Sequence, residues 1–385
     1  MGRRTLKQSL FDSSKFVHLK KILHILATPR SEGTPNLVLD WLSTRACQQE
    51  VFAIEASPAD LTELLKSSAN WYGEADDGLL KGWREFPRIT ARIRQVCAER
   101  KPDLVICWPT GLSAWMTLGA RLAGVPQVLV HSGNPPTRGV KADWITRYVF
   151  WPLALMQAKV ICCSQYVRDE FLAIPAIPKG MIHAVHNCSR IKAIQKRVRL
   201  AQAQMGERKR HQAVMVATLE NHKDHETLLM ALPLVLKVLP DFRIDLVGDG
   251  SLRGHLESRV QQLGLKNVVS FLGTRQDVPE ILARAELFVF STTPQEGLGS
   301  VLLEALAAGL PIVASDVPAC REILGQGKWG VLVPPLDPDK LAQGMIQRWR
   351  EPIWSEDWQI QCDEYLDGFS PQRMLDRYLS IADEP

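Results

Sequence analysis

No run of eighteen apolar residues occurs in the 385-residue chain. The longest apolar pieces, WPLALM and VLLEALAAGLPIVA, are too short or too interrupted for a membrane-spanning helix. The basic opening MGRRTLKQSL is not followed by an apolar core, which argues against a secretory signal. Cysteine occurs eight times but nowhere at metal-ligand spacing. Only Cys162 and Cys163 adjoin, inside an apolar strand-like run where a thiol is ordinarily a buried residue. This usage fits reduced thiols in the cytoplasm better than a disulfide framework. Patterns of zinc fingers, RNA-binding sheets and basic leucine zippers are also missing, so nucleic acid is not an expected partner.

What is present is a chain with 46% hydrophobic residues and ordinary glycine and proline content, enough to bury a large core. Its length suits two domains of roughly 150–200 residues. The net charge of +4 is unevenly shared: residues 1–190 carry 24 Lys+Arg against 16 Asp+Glu, and residues 191–385 carry 22 against 26. A basic first half predicts anionic company there, such as a membrane surface or a phosphorylated acceptor.

Apolar, β-branched runs alternate with helix-period segments almost throughout. KKILHILAT, EVFAIEA, DLVICWP, PQVLVHS and AKVICCS read as buried strands; LVLDWLSTRACQQ, FPRITARIRQVCAER, GLSAWMTLGARLAG and WITRYVFWPLALM read as the helices between them. A basic helix-like stretch follows Arg190, and the pattern restarts with HQAVMVATL, FRIDLVGDG, NVVSFLG, LFVFST, PIVASD and WGVLVPP. Two such series predict an α/β chain of two doubly wound, Rossmann-like domains, residues 1–190 and 191–365, facing a central cleft. The last segment, 366–385, reads as a helix with Ser370 as N-cap and Pro371 at N1, returning to the first domain.

STTPQEGLGSVLLEALAAGLPIVAS sets Glu296 and Glu304 around a glycine-containing turn. Three readings are open: a hydrolytic acid/base pair, two ligand-holding groups, or the polar edge of an ordinary helix. With a helix opening at Gly297–Gly299, eight positions at a rise of about 1.5 Å put the two residues up to about 12 Å apart. That disfavours an acid/base pair on one bond. It suits two contacts on one elongated ligand, with a helix N-terminus between them for a phosphate. A nucleotide sugar has that form.

EGLGSVLLEALAAGLPIVASD resembles the Glu-seven-residues-Glu signature of retaining glycosyltransferases of the GT-B fold, family 4. VATLENHKDHETLL, LVGDGSLRGHLE, VSFLGTRQDVPEIL and LFVFSTTPQEG support the resemblance in order, over about residues 213–335. In the first half the likeness rests on topology and on ATPRSEGTPN, VLVHSGN and VHNCSR. The resemblance implies transfer of a sugar from a nucleotide-sugar donor, UDP-sugar first and GDP-sugar next, to a glycan, a lipid-linked or a small hydroxylated acceptor. Glu304 would accept from ribose hydroxyls and Glu296 would hold the transferred sugar. Gly297, Leu298 and Gly299 would let the backbone approach the sugar and the distal phosphate, with amides of Ser300 and Val301 donating to it. Lys223 would neutralise the diphosphate, Thr274 and Arg275 would receive the base, and Thr218 and Gly248 would border the donor. His131 would contact the sugar or its phosphate, and the turn Glu32–Gly33–Thr34 would complete the cradle.

The sequence departs from the family pattern in two places. Thr218 stands where the family usually has an arginine, a second cation on the diphosphate; either another base such as Arg275, Arg321 or Arg138 compensates, or catalysis is slow, or the chain is a catalytically weak binding partner. SEGTPN replaces the usual pair of adjacent glycines. Asp337–Asp339 is the one Asp-x-Asp and reads as a helix N-cap, so neither a metal nor another cofactor is expected. Trp144, Tyr148, Phe150 and Trp151 beside Lys141 and Arg147 suit either an interfacial surface or a core helix. The first of these would make the chain a cytoplasmic protein peripheral to the inner face of a membrane.

Overall fold

The computed structural model describes residues 21–29, 33–44, 47–55, 61–75, 82–108, 110–136, 139–175, 177–205, 211–350 and 355–384. Glu32, Arg138 and the basic N-terminal segment, along with the side chains of Lys141 and Trp144, lie outside them.

Runs of Ile, Val, Leu and Phe without polar alternation can be satisfied only by a strand covered on both faces. The strands are β1 (Lys21–Leu26), β2 (Gln48–Ala53), β3 (Trp71–Glu74), β4 (Leu104–Cys107), β5 (Gln127–Ser132), β6 (Lys159–Cys162), β7 (Ile182–Ala184), β8 (Gln212–Val216), β9 (Arg243–Val247), β10 (Val269–Gly273), β11 (Leu287–Phe290), β12 (Ile312–Ser315) and β13 (Val331–Val333). Among the described residues they form a seven-stranded parallel sheet, ordered β3-β2-β1-β4-β5-β6-β7, and a six-stranded one, ordered β10-β9-β8-β11-β12-β13. Every residue of β4, β11 and β12 is buried. Each sheet reverses its winding once, between β1 and β4 and between β8 and β11. Chain leaving the C-terminal ends of those neighbours diverges and leaves a crevice, the usual ligand position in such folds.

The sequence reading omits β3 and β7. Both are short edge strands with mostly half-buried residues, so neither carries a continuous apolar signal. It also extends the first helix too far: the helix is Gly33–Leu42, and Gln48 and Gln49 belong to β2. Gln49 is polar but buried, its amide donating to the Trp41 carbonyl and the Thr44 hydroxyl, both at 3.1 Å.

The chain passes between the two sheets twice. The first passage follows β7 and leads into the helix Ile191–Met205, and the second joins the helices Glu356–Asp367 and Pro371–Asp383. Ser370 caps the last helix by accepting from the Arg373 amide. That helix lies on the first sheet: Lys159 Nζ donates to the Ile381 carbonyl (2.9 Å) and Gln127 Nε2 to that of Ala382 (3.0 Å). Its Met374, Leu375 and Tyr378 share a core with Leu37, Trp41 and Trp108. The two passages touch, with the Ser189 amide donating to the Phe369 carbonyl (3.0 Å) and the Cys188 amide to the Met374 sulfur (3.2 Å). All eight thiols are free, seven of them buried. Among the described residues no helix is long and apolar enough to cross a membrane.

Candidate functional site

The loops leaving β8 and β11 meet at the switch point of the second sheet. The His222 carbonyl accepts from the Thr292 hydroxyl (2.8 Å) and the Thr293 amide (3.0 Å), and the Ser291 hydroxyl donates to the Asp224 carbonyl (2.8 Å). Asp224 also caps the helix His225–Leu236 by accepting from the Thr227 amide (3.2 Å). These bonds bring Lys223 and Glu296, far apart in sequence, to one point. Lys223 Nζ donates directly to Glu296 Oε2, while Glu296 Oε1 accepts from the Gly299 amide (3.2 Å). Both side chains are largely buried, and the ammonium lies 5.1 Å from the centre of the Phe290 ring, within cation–π range. Burial pushes the Glu296 carboxyl up, but the Lys223 charge and hydrogen bond outweigh it and hold the carboxyl below its ordinary value.

The helix after this turn is Val301–Ala307, so Gly297–Ser300 are turn rather than helix, a later start than the sequence reading gives. The Leu302 and Leu303 amides bond back to the Gly299 and Ser300 carbonyls, leaving the Ser300 and Val301 amides ahead of the first helical turn. Glu304 lies one turn further on, half-buried. Burial raises its carboxyl to about 7, with the nearby Asp40 carboxylate adding to the rise and Arg190 opposing it. Asp40 sits on the helix that begins at Gly33; its Oδ1 is 2.5 Å from Arg190 Nε, and burial raises it too to about 7.

A carboxyl raised in the folded state stabilises the fold below its ordinary pKa, and that contribution is lost as pH rises through about 7. Glu304→Gln is therefore expected to match the parent's Tm near about pH 5 and to exceed it near about pH 8 in the ligand-free protein. Equal Tm differences at both values would contradict the assignment.

The first domain closes over the turn. A Cβ on Gly297 would lie 2.0 Å from the Gly133 carbonyl oxygen, so only glycine admits this approach. The buried Ser164 hydroxyl donates to the Gly297 carbonyl (2.7 Å), and Tyr166 Oη donates to that of Pro294 (2.7 Å). From the other side Glu322 accepts from the Gln165 and Tyr166 amides (2.7 and 3.1 Å) and contacts His186 Nε2 at 2.5 Å. Burial raises the Glu322 carboxyl, but these bonds leave it below its ordinary value. His131, next to the end of β5, is buried, and desolvation lowers it to about 3, so its ring is neutral. Its Nε2 lies 3.6 Å from where a Cβ of Gly133 would stand, and its Nδ1 meets Tyr378 Oη at 2.8 Å.

Of the residues singled out in the sequence, Lys223, Glu296, Gly297, Leu298 and Gly299 gather at this point, with His131 behind Gly133. Ser300, Val301 and Glu304 run from it along the following helix, towards Asp40 on the helix that Gly33 opens. Thr218, Gly248, Thr274 and Arg275 follow the ends of β8, β9 and β10 to one side. A Cβ on Gly248, whose φ is +135°, would lie 2.0 Å from the Ala217 oxygen. Arg275 is held by Asp277 through two bonds (2.7 and 2.6 Å), and Arg321 is likewise held by Asp316. Asp337 caps the helix Pro338–Arg350 by accepting from the Lys340 amide (2.9 Å). Sequence reasoning missed Asp40, Arg190, Ser164, Tyr166, Glu322 and Tyr378. Ser164 alone carried a local sign, a serine ending the strand run AKVICCS in N-cap position, where it accepts from the Val167 amide.

Residues 210–351 match the family model described as Glycosyl transferases group 1, and residues 41–189 the model described as Glycosyltransferase Family 4. An exopolysaccharide phosphotransferase of Streptomyces coelicolor is 38% identical over 133 residues, 34% of this chain and 14% of that protein. A phosphatidyl-myo-inositol mannosyltransferase of Mycobacterium leprae is 35% identical over 139 residues, 36% of each chain. The present chain thus spans well under half the length of these two relatives in the matched regions. The crystal structure of Anabaena HepE in complex with UDP and glucose has the same fold, with a TM-score of 0.80 at 19% identity over 94% of this chain and 100% of that one.

Proposed function

Because the chain belongs to the family 4, group 1 glycosyltransferases of the GT-B fold, we propose that it moves a sugar from a nucleotide-sugar donor to a hydroxylated acceptor with retention of configuration and without a metal. The observation that carries this reading is the buried Lys223–Glu296 pair at the switch point, beside the Gly297 turn that abuts Gly133. A cation and a carboxylate already stripped of water can separate onto a ligand with one charged end and one hydroxyl-rich end. The diphosphate takes Lys223 and the Ser300 and Val301 amides, sugar hydroxyls take Glu296, and ribose hydroxyls take Glu304. The bond between the anomeric carbon and the phosphate oxygen breaks, and a new bond forms to the acceptor oxygen on the same face. The acceptor's proton passes to the departing phosphate, so no protein nucleophile is needed.

Thr218 removes one cation from the leaving group, and Arg275 and Arg321 already serve Asp277 and Asp316. With Arg138 outside the described residues, Lys223 is the cation at the switch point that can take the leaving-group charge once a ligand separates it from Glu296. A UDP-sugar is the preferred donor, supported by the UDP of the HepE complex, with a GDP-sugar next. For the acceptor, a lipid-linked molecule is favoured by a stripe of exposed apolar residues on the helix Val140–Leu155. Tyr148, Trp151 and Leu155 face outward there, while Phe150 and Leu153 are buried.

The test is nucleotide release from a panel of UDP-, GDP- and ADP-sugars, with and without lipid or glycan extracts. Release from one donor, enhanced by the lipid extract, is expected. Enhancement by the glycan extract alone would overturn the lipid acceptor. No release from any donor would overturn the enzyme reading in favour of a binding partner, for which Thr218 is the argument.

A further inference from the structure

The phenol of Tyr378 reaches His131 from the terminal helix, 247 residues away in the sequence. Its Oη and His131 Nδ1 are 2.8 Å apart, and both residues are buried. Trp41 packs edge-on against the Tyr378 ring at 4.7 Å, and Trp108 lies 6.4 Å from Tyr378 and 4.9 Å from His131, so neither ring is free to turn. Desolvation keeps the imidazole neutral and the phenol protonated. The pair therefore shares one hydrogen, donated in one of two directions.

Hydrogen-bond accounting selects the direction. A buried hydroxyl must place its proton on an acceptor, and among the described residues His131 Nδ1 is the one partner of Tyr378 Oη. If Nδ1–H donated to the phenol, the phenolic proton would be left without an acceptor. If the phenol donates, its proton and Nδ1 are both matched, and the single ring proton of His131 must be on Nε2. Trp108 cannot serve Nδ1 instead, because its N–H donates to His24 Nδ1 (3.2 Å). His24 is then set in the same way, with its Nε2 facing Gln49 Oε1 (3.2 Å).

We infer that Tyr378 is a positioning residue that locks His131 as the Nε2–H tautomer, so that the ring presents a neutral hydrogen-bond donor towards Gly133 and the Gly297 turn. A donor there can serve a sugar hydroxyl or phosphate oxygen and cannot act as a base. This use of the tautomer rests on the proposed glycosyl transfer, whereas the tautomer itself does not.

The experiment is nitrogen-15 imidazole NMR of the full chain labelled at histidine, with the His131 signals assigned by their absence from His131→Asn. The Nε2–H pattern is expected in the parent, without any substrate. An Nδ1–H pattern, or a tautomer mixture, overturns the proposal whether or not the chain transfers sugar. Tyr378→Phe keeps the ring packing and removes the donor. It is expected to give a mixed His131 tautomer and to lower kcat about tenfold with donor KM nearly unchanged. A Tyr378→Phe protein that retains the pure Nε2–H pattern also overturns it.

Discussion

Glu296→Ala is expected to lower kcat for glycosyl transfer by about 10²–10³-fold, the range seen when a preorganised polar contact is removed from a reacting centre. Nucleotide binding should be largely kept, because the substitution frees Lys223 for the diphosphate rather than removing it. The loss arises at the sugar: Glu296 is held from both sides, by Lys223 and by the Gly299 amide, so its carboxylate is oriented before a ligand arrives. Breaking a buried ion pair by deleting one partner commonly costs about 3–5 kcal/mol. Lys223 keeps 14% of its side chain exposed, which lets water take up part of that cost. Parallel measurement of turnover and nucleotide affinity checks the prediction. Turnover at the parental rate would remove Glu296 from the site.

Gly297→Ala acts by a different route. Its methyl group would stand 2.0 Å from the Gly133 oxygen, with backbone on both sides of the clash and no flexible side chain to yield. Relief requires the domains to part by more than roughly 1 Å, and misplacement of that size can cost about 10²-fold in rate. The separation would also stretch the Ser164 bond to the Gly297 carbonyl. The expected result is a folded protein with nucleotide affinity close to the parent and kcat/KM lower by about 10²-fold. Small-angle scattering would show a more open particle. Parental kcat/KM would mean that the domains work at a wider separation than this one.

The strands that hold the site were readable because β4, β11 and β12 need apolar residues at every position, and such runs stand out in a linear sequence. β3 and β7 lie at sheet edges, where half-exposed residues serve equally well, so they left no comparable sign. The pairing of Lys223 with Glu296 was not readable from spacing. It depends on His222 and Asp224 carbonyls bonding to Ser291, Thr292 and Thr293, backbone contacts to which any residue can contribute the acceptor. The motif around Glu296 drew attention through its glycines and its family resemblance, yet the reason for Gly297 is on another domain, at Gly133. Glu322 and Tyr378 gave no sign for the same reason, each being defined by a partner remote in sequence, and the N-cap position of Ser164 gave no hint of its bond to Gly297.

The two touching passages between the domains restrict how the molecule can move. Two strands of backbone, pinned side by side by the Ser189–Phe369 and Cys188–Met374 bonds, behave as a hinge pin. Sliding or twisting one half against the other would stretch these contacts and also the bonds of Ser164, Tyr166 and Glu322. The two passages and the turn where Gly297 meets Gly133 together fix how the halves sit against each other.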